Sequence, residues 1–172
     1  MILRPAVPAD AAPLAELGAH AFVAKFGDLY QPADLAAFLE GSHSETKVAQ
    51  EIADPGMRIM LAVGEDGALL GFCKLVMRCG WPEHARGGRA IELKQLYTHP
   101  EAVGQGIGAR LTIWAEAEAR SFGADEVQLS VYAENGDAQR FYARHGYAKV
   151  ADIHFMVGQQ RDEEFLFARI LA

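Results

Sequence analysis

Apolar positions change their spacing several times along this chain, and each change marks an element. Ile2–Arg4 reads as a short strand. Leu14, Leu17, Ala21 and Phe22 then recur on one helical face, which predicts a helix with Asp10 as its N-cap. After Gly27, Leu35, Phe38 and Leu39 predict a second helix. Val48 and Ile52, behind Ser44 or Thr46 as cap, predict a third, stopped by Asp54-Pro55-Gly56. Alternation then takes over: Arg58–Val63 and Leu69–Met77 flank Gly64-Glu65-Asp66-Gly67, a hairpin signal. Another strand is expected over Arg89–Thr98. Ile107, Leu111, Ala115, Ala119 and Phe122 share one side of a helix over about 106–122, with Glu116 and Arg120 outward at a supportive spacing of four. Val127, Leu129 and Val131 alternate within Glu126–Tyr132, and Asn135 caps a short helix ending at Gly146. Strands near Tyr147–Val157 and Glu164–Leu171 close the chain.

Mixed α and β elements follow one another without repeat, low-complexity tract or linker, so residues 1–172 read as a single α/β domain. At 172 residues, 51% hydrophobic and 23% charged, the chain can bury a real core. A net charge of −7 with no basic stripe argues against nucleic acid as a partner and fits a cationic small substrate. The start, MILRPAVPADAA, lacks the apolar core of a signal peptide, and no apolar run has the length of a membrane span. Cys73 and Cys79 are too few for a disulfide framework, and the six histidines show no zinc-type spacing. The expectation is a cytoplasmic protein with no membrane partner and no metal. Oligomeric state is left open, a homodimer included.

The most informative stretch is ELKQLYTHPEAVGQGIGA, from Glu92 to Ala109: strand, short loop, glycine turn, helix start. Glycines there let the backbone approach a ligand, and the free amides of a helix start point at an anion. The segment reads as a pyrophosphate cradle. A P-loop needs Gly-Lys-Ser/Thr, but Ala109-Arg110 follow Gly108. A dinucleotide fingerprint from Gly106 needs a glycine where Leu111 stands. Val103-Gly104-Gln105-Gly106-Ile107-Gly108 instead resembles the acetyl-CoA motif of the GNAT (GCN5-related N-acetyltransferase) superfamily, Gln/Arg-x-x-Gly-x-Gly/Ala, with Val103 departing from the usual Gln or Arg. Farther on, Asn135-Gly136-Asp137-Ala138-Gln139-Arg140-Phe141-Tyr142-Ala143-Arg144-His145-Gly146-Tyr147 is similar to that superfamily's Asn-x-x-Ala-x-x-Phe-Tyr-x-x-x-Gly-Phe. Two motifs in the right order are far more specific than either alone.

The resemblance implies a twisted mixed sheet of about seven strands with helices on both faces. It also implies direct acetyl transfer from acetyl-CoA to an amine. The implied donor contacts are Leu96, Tyr97 and Thr98 on the strand, Val103, Gly104, Gln105, Gly106, Ile107, Gly108 and Ala109 in the turn, and Asn135 and Tyr142 beyond it. An alkyl amine with a pKa of about 10.4 must be deprotonated, at a cost of about 4.6 kcal/mol at pH 7. Glu92, a carboxylate in an otherwise apolar strand, is the candidate base; an exposed charge, or a salt bridge such as one to Lys94, is the plainer alternative. By likeness Tyr142 protonates the departing thiolate; packing in the core is its plainer role. Ile91 and Leu93 alternate, yet the next apolar residue is Leu96, a parity slip that predicts a β-bulge. The superfamily is similar in having a bulge here, where backbone groups of Leu96 and Thr98 would meet the thioester.

His99, Cys73, Trp81 and Trp114 read more simply as loop or packing residues. Phe22–Tyr30, Asp34-Leu35, Phe38-Leu39 and Glu92-Leu93-x-x-Leu96-Tyr97 are similar to bacterial spermidine/spermine N-acetyltransferases, which points to a polyamine acceptor. Asp28, Asp34 and Glu40 either attract a cationic amine or form a solvated surface. A protein or peptide acceptor, or an acyl-CoA-binding sensor without turnover, are the alternatives.

Overall fold

The computed structural model describes residues 1–172. Seven strands form one sheet: β1 (Ile2–Pro5), β2 (Met57–Val63), β3 (Leu69–Val76), β4 (Ala90–Thr98), β5 (Glu126–Tyr132), β6 (Ala148–Val157) and β7 (Gln160–Ile170), in the order β1-β2-β3-β4-β5-β7-β6. Five α-helices accompany them: α1 (Ala11–Phe26), α2 (Pro32–His43), α3 (Glu45–Ala53), α4 (Ile107–Phe122) and α5 (Gly136–Arg144). The four strands β1–β4 are antiparallel neighbours, as are β5, β7 and β6. A parallel seam between β4 and β5 joins the two halves. It is three residues long and ends where Glu92 faces Gln128.

Strand alternation sends successive side chains to opposite faces. Cys73, Leu75, Ile91, Leu93, Val127 and Leu129 pack under Ile107, Leu111 and Ala115 of α4. Ile59, Leu61, Val63 and Phe72 pack under Leu14 and Leu17 of α1 and Val48 of α3. Helices therefore cover both faces, as the sequence resemblance implies. The parity slip is also real. Lys74 faces Gln95 while Leu75 faces Leu93, so Lys94 is the unmatched residue of a bulge in β4.

Four local expectations need correction. Asp10 is not the side-chain cap of α1; its carboxylate accepts the Val7 N–H at 2.8 Å and pairs with Arg4 at 2.7 Å, closing the preceding 3-10 turn. Glu116 is buried rather than outward, because Arg169 of β7 reaches it at 2.6 Å, a partner no helical spacing reveals. The last strand begins at Gln160, four residues before the expected Glu164, since a tight Gly158-Gln159 turn is followed by polar residues already in register with β6. Lys94 does not pair with Glu92. As the bulged residue it reaches Glu51 on α3 at 3.0 Å.

Candidate functional site

The glycine turn follows β4 directly. Gly104 and Gly106 have φ of +86° and +77°, a conformation that side chains with a Cβ adopt only under strain. The turn feeds α4 with Gly106 at its N-cap. The amides of Val103, Gly104, Gly106, Ile107, Gly108 and Ala109 donate to no backbone carbonyl, while Gln105 makes one long bond to Ala102 at 3.4 Å. The space where a Cβ of Gly104 or Gly106 would stand is open. Free amides on an open turn at a helix N-terminus suit a diphosphate. The Val103 side chain is exposed, so the motif position that departs from Gln or Arg offers no polar contact.

The second motif is brought against the first. A Cβ on Gly108 would stand 3.3 Å from the Phe141 ring, so the start of α4 abuts α5. The Asn135 side chain accepts the Ala138 N–H at 3.2 Å and caps α5. Tyr142 on α5 is buried among Phe141 and Tyr147, with ring centroids 5.2 and 5.7 Å away. Burial pushes its phenol well up, with Cys73, Tyr147 and Tyr97 adding to the effect. It therefore stays a proton donor at any ordinary pH. Cys73 is the register partner of Leu96, so Tyr142 stands by the strand just past the bulge.

Beyond Glu92, the β5-side edge of β4 from Leu93 to Thr98 has no strand partner, while β5 continues with β7. The two halves of the sheet thus part between these strands. Leu96, Tyr97 and Thr98 line one side of the gap. Glu92 marks its closed end. Its carboxylate is covered by the segment Cys79–Trp81, which Gln128 holds through the Trp81 N–H and carbonyl, both at 3.2 Å. A Cβ on Gly80 would come within 3.0 Å of Glu92 Oε2. Burial raises the Glu92 pKa, and Lys94 and Arg78 only partly oppose this. A half-buried carboxylate with no ion-pair partner is a suitable base.

Other candidates resolve into packing or loop roles. His99 Nδ1 accepts the Glu101 N–H at 3.2 Å, a local cap. Cys73 is fully buried with its thiol pushed up by burial alone. Trp114 lines a cavity of about 200 Å³ with Arg58 and Met60 at the outer part of β2, remote from the gap. Asp28 and Glu40 are exposed on the surface, and the half-buried Asp34 accepts the Gln159 N–H at 2.7 Å.

Asp162 and Glu164 on β7, with His43, escape sequence reasoning, while Tyr30 lies in the stretch that it marks. Asp162 precedes the expected strand start. Its alternation with Glu164, Leu166 and Ala168 is the signal that would have found it, because this period puts both acids on a buried face.

The acetyltransferase (GNAT) family model matches residues 20–147, well over half of the chain. An uncharacterized N-acetyltransferase of Mycobacterium tuberculosis is 31% identical over 163 residues, covering 94% of this chain and 98% of the relative. An aminoalkylphosphonate N-acetyltransferase of Salmonella typhimurium is 36% identical over 115 residues, 66% of this chain and 68% of that protein. The crystal structure of PaiA N-acetyltransferase from Thermoplasma acidophilum in complex with coenzyme A shares the fold, with a TM-score of 0.80 at 21% identity over 98% of each chain. With the glycine turn, the bulged strand and the parted sheet already in place, these matches lead to one statement: the chain belongs to the acetyltransferase (GNAT) family.

Proposed function

We propose that the protein transfers an acetyl group from acetyl-CoA directly to a primary amine of a small cationic molecule, of the polyamine class. N-acetyltransferase chemistry and the acetyl-CoA donor come with the family. The residue roles rest on geometry. The observation that carries them is the parting of β4 from β5 directly after Glu92, beside six unpaired amides at the turn.

In this reading the amides of Gly104–Ala109 and of Val103 hold the diphosphate. The pantetheine arm enters the gap beside Leu96, Tyr97 and Thr98, with Asn135 at the start of α5 along its course. Glu92 takes a proton from the acceptor ammonium, directly or through water. The neutral nitrogen attacks the thioester carbon, and the C–N bond forms as the carbonyl becomes an oxyanion. A backbone amide of the bulged strand stabilises that charge; one aimed donor is worth roughly 3–4 kcal/mol. The C–S bond then breaks, the thiolate receives the Tyr142 proton, the nitrogen gives up its remaining extra proton through water to the Tyr142 phenolate, and Glu92 releases its own to solvent. The products are an N-acetyl amine and coenzyme A.

The small-molecule acceptor is supported by the cover over this face. The α1–α2 connection is clipped to the β6–β7 hairpin by the Tyr30 hydroxyl donating to Asp162 and by Asp34 accepting from Gln159. A clipped connection argues against an open peptide groove. The test is thiol release from acetyl-CoA with polyamines, amino acids, aminoglycosides and short peptides as acceptors. Release with polyamines well above the others supports the reading. Tight acetyl-CoA binding without release on any acceptor favours a sensor and would end it.

A further inference from the structure

Buried carboxylates in this fold are compensated at nearly every site. Asp10 pairs with Arg4 at 2.7 Å, Glu51 with Lys74 at 2.6 Å and Lys94 at 3.0 Å, and Glu116 with Arg169 at 2.6 Å. Glu126 takes the Arg86 and Gly87 amides at 2.7 and 2.6 Å on Oε2, although its Oε1 has no partner. The pattern is expected, because an unpaired buried charge is costly.

Glu164 breaks it. No cation lies within ion-pair distance of it. Its Oε2 is sealed from solvent with no hydrogen-bond partner, burial raises its pKa, and the Ser130 hydroxyl is the one group that favours its charged form. The adjacent acid on the same face, Asp162, is 5% exposed and has only neutral partners, Tyr30 and Gln160. Two acids thus share an enclosed face without a positive charge.

The side chains around these acids are aromatic. Tyr132 is the register partner of Glu164, and the phenols of Tyr30 and Tyr97 both feel its charge. Phe22 stacks on Tyr30 at 5.8 Å, and Phe26 stands edge-on to Tyr132 at 6.0 Å. His43 adds a second unmet group. It is 4% exposed, 5.8 Å from the Tyr97 ring, and neither ring nitrogen has a partner. Rings around an uncompensated carboxylate form a receptor for an alkylammonium, which gains from both the charge and the ring faces.

We propose that Glu164 receives the second, non-reacting ammonium of an aliphatic di- or polyamine, held among Tyr30, Tyr97 and Tyr132 while the reacting amine lies by Glu92. This rests on the amine-acetylation reading above and names its specificity determinant. The spacing sets the length of the ligand. Glu92 faces Gln128 and Gln128 faces Ala168, so Glu164 lies two strands across and four residues along from Glu92, roughly 17 Å between Cα atoms at ordinary strand dimensions, and the two nitrogens must be joined by a long aliphatic chain. The division of labour also removes a conflict. A carboxylate that clamps an ammonium favours its protonation, so a clamp and a base work better as separate residues.

The experiment compares 1,8-diaminooctane with n-octylamine, a pair alike in carbon chain but differing in the second charge. Binding to the coenzyme A-saturated full chain is followed by calorimetry and turnover by thiol release, for wild type and Glu164→Gln. Acetyl-CoA titration of the variant serves as the folding control. The diamine is expected to bind wild type about tenfold or more tightly than the monoamine, and Glu164→Gln to abolish most of that ratio. Equal wild-type affinities for the two amines would overturn the proposal even if the variant failed to fold. So would a ratio that survives in a folded variant. Glu164-dependent diamine binding without any acetyl transfer would uphold the receptor and sink the acceptor reading, so the two failures are distinguishable.

Discussion

On the α4 face of the sheet, Cys73, Leu75, Ile91, Leu93, Val127 and Leu129 meet helix side chains in a continuous apolar core. On the opposite face the apolar core is half as large and confined to β2 and β3 with α1 and α3. Toward β4, β5 and β7 it gives way to rings and to Glu92, Asp162 and Glu164, none of which has a cation within ion-pair distance. The first face holds the glycine turn and Tyr142 rigidly, which suits a donor of fixed shape. The second leaves charge unmet, which costs stability and is tolerated where a ligand can offset it. Within that second face there is a further contrast. Glu51 at the α3 end is fully compensated by Lys74 and Lys94, and its pKa is lowered by them despite burial.

The largest effect is expected at the uncompensated end. Glu92→Gln should lower kcat/KM by roughly two to four orders of magnitude, the usual range for a general base. Because the Glu92 pKa is raised, the base form is lost as pH falls through that raised value. Wild type should therefore show an acidic limb above the ordinary carboxylate range, and the variant should lack it. An unchanged limb in the pH–rate profile would remove Glu92 from the mechanism.

The compensated end should respond in stability instead. Glu51→Ala strands Lys74, which has no exposure, and should cost about 3–5 kcal/mol by denaturant unfolding. It also frees Lys94, the bulged residue, so the thioester strand should loosen and turnover should fall in whatever fraction remains folded. A stability loss under about 1 kcal/mol would show the pair to be marginal.

His43 sits between the two ends. Burial first, and Lys74 next, push its pKa down to about 4 from an ordinary 6.5. The unfolded chain then binds a proton that the native state refuses between those values. Native stability should fall as pH drops through 6.5 and level off near 4, by up to about 3 kcal/mol. His43→Leu should flatten that part of the stability–pH curve. A curve of unchanged slope would place the acid sensitivity elsewhere.

The smallest effect belongs to the donor face. In the proposed mechanism Tyr142→Phe removes the proton donor to the thiolate but keeps the ring in its core. Turnover should fall about tenfold or more, with acetyl-CoA affinity by calorimetry nearly intact. A thiolate leaves unaided better than an amine is activated, so this loss should be less than that at Glu92. Equal turnover would return Tyr142 to a packing role.

The turn and short helix that the proposal assigns to the donor were legible because each is local in the sequence. Gly104, Gly106 and the residues to Ala109 form one turn, and Asn135 to Tyr142 one short helix, so spacing alone carries the pattern. The bulge in β4 was legible too, since one extra residue shifts the alternation between Leu93 and Leu96. The acceptor half was not. Glu164 becomes notable only when its neighbours prove to be Tyr132 on β5 and Tyr30 and Tyr97 from distant segments, with no lysine or arginine among them. The Glu51–Lys74 pair, 23 residues apart, was invisible for the same reason. Backbone conformation and hydrophobic period are properties of a few consecutive residues, so the chain alone determined its elements, its family and the turn for the donor. Whether a buried charge meets a partner depends on every segment packed around it, and only the tertiary structure decided which carboxylates were left without a counter-charge.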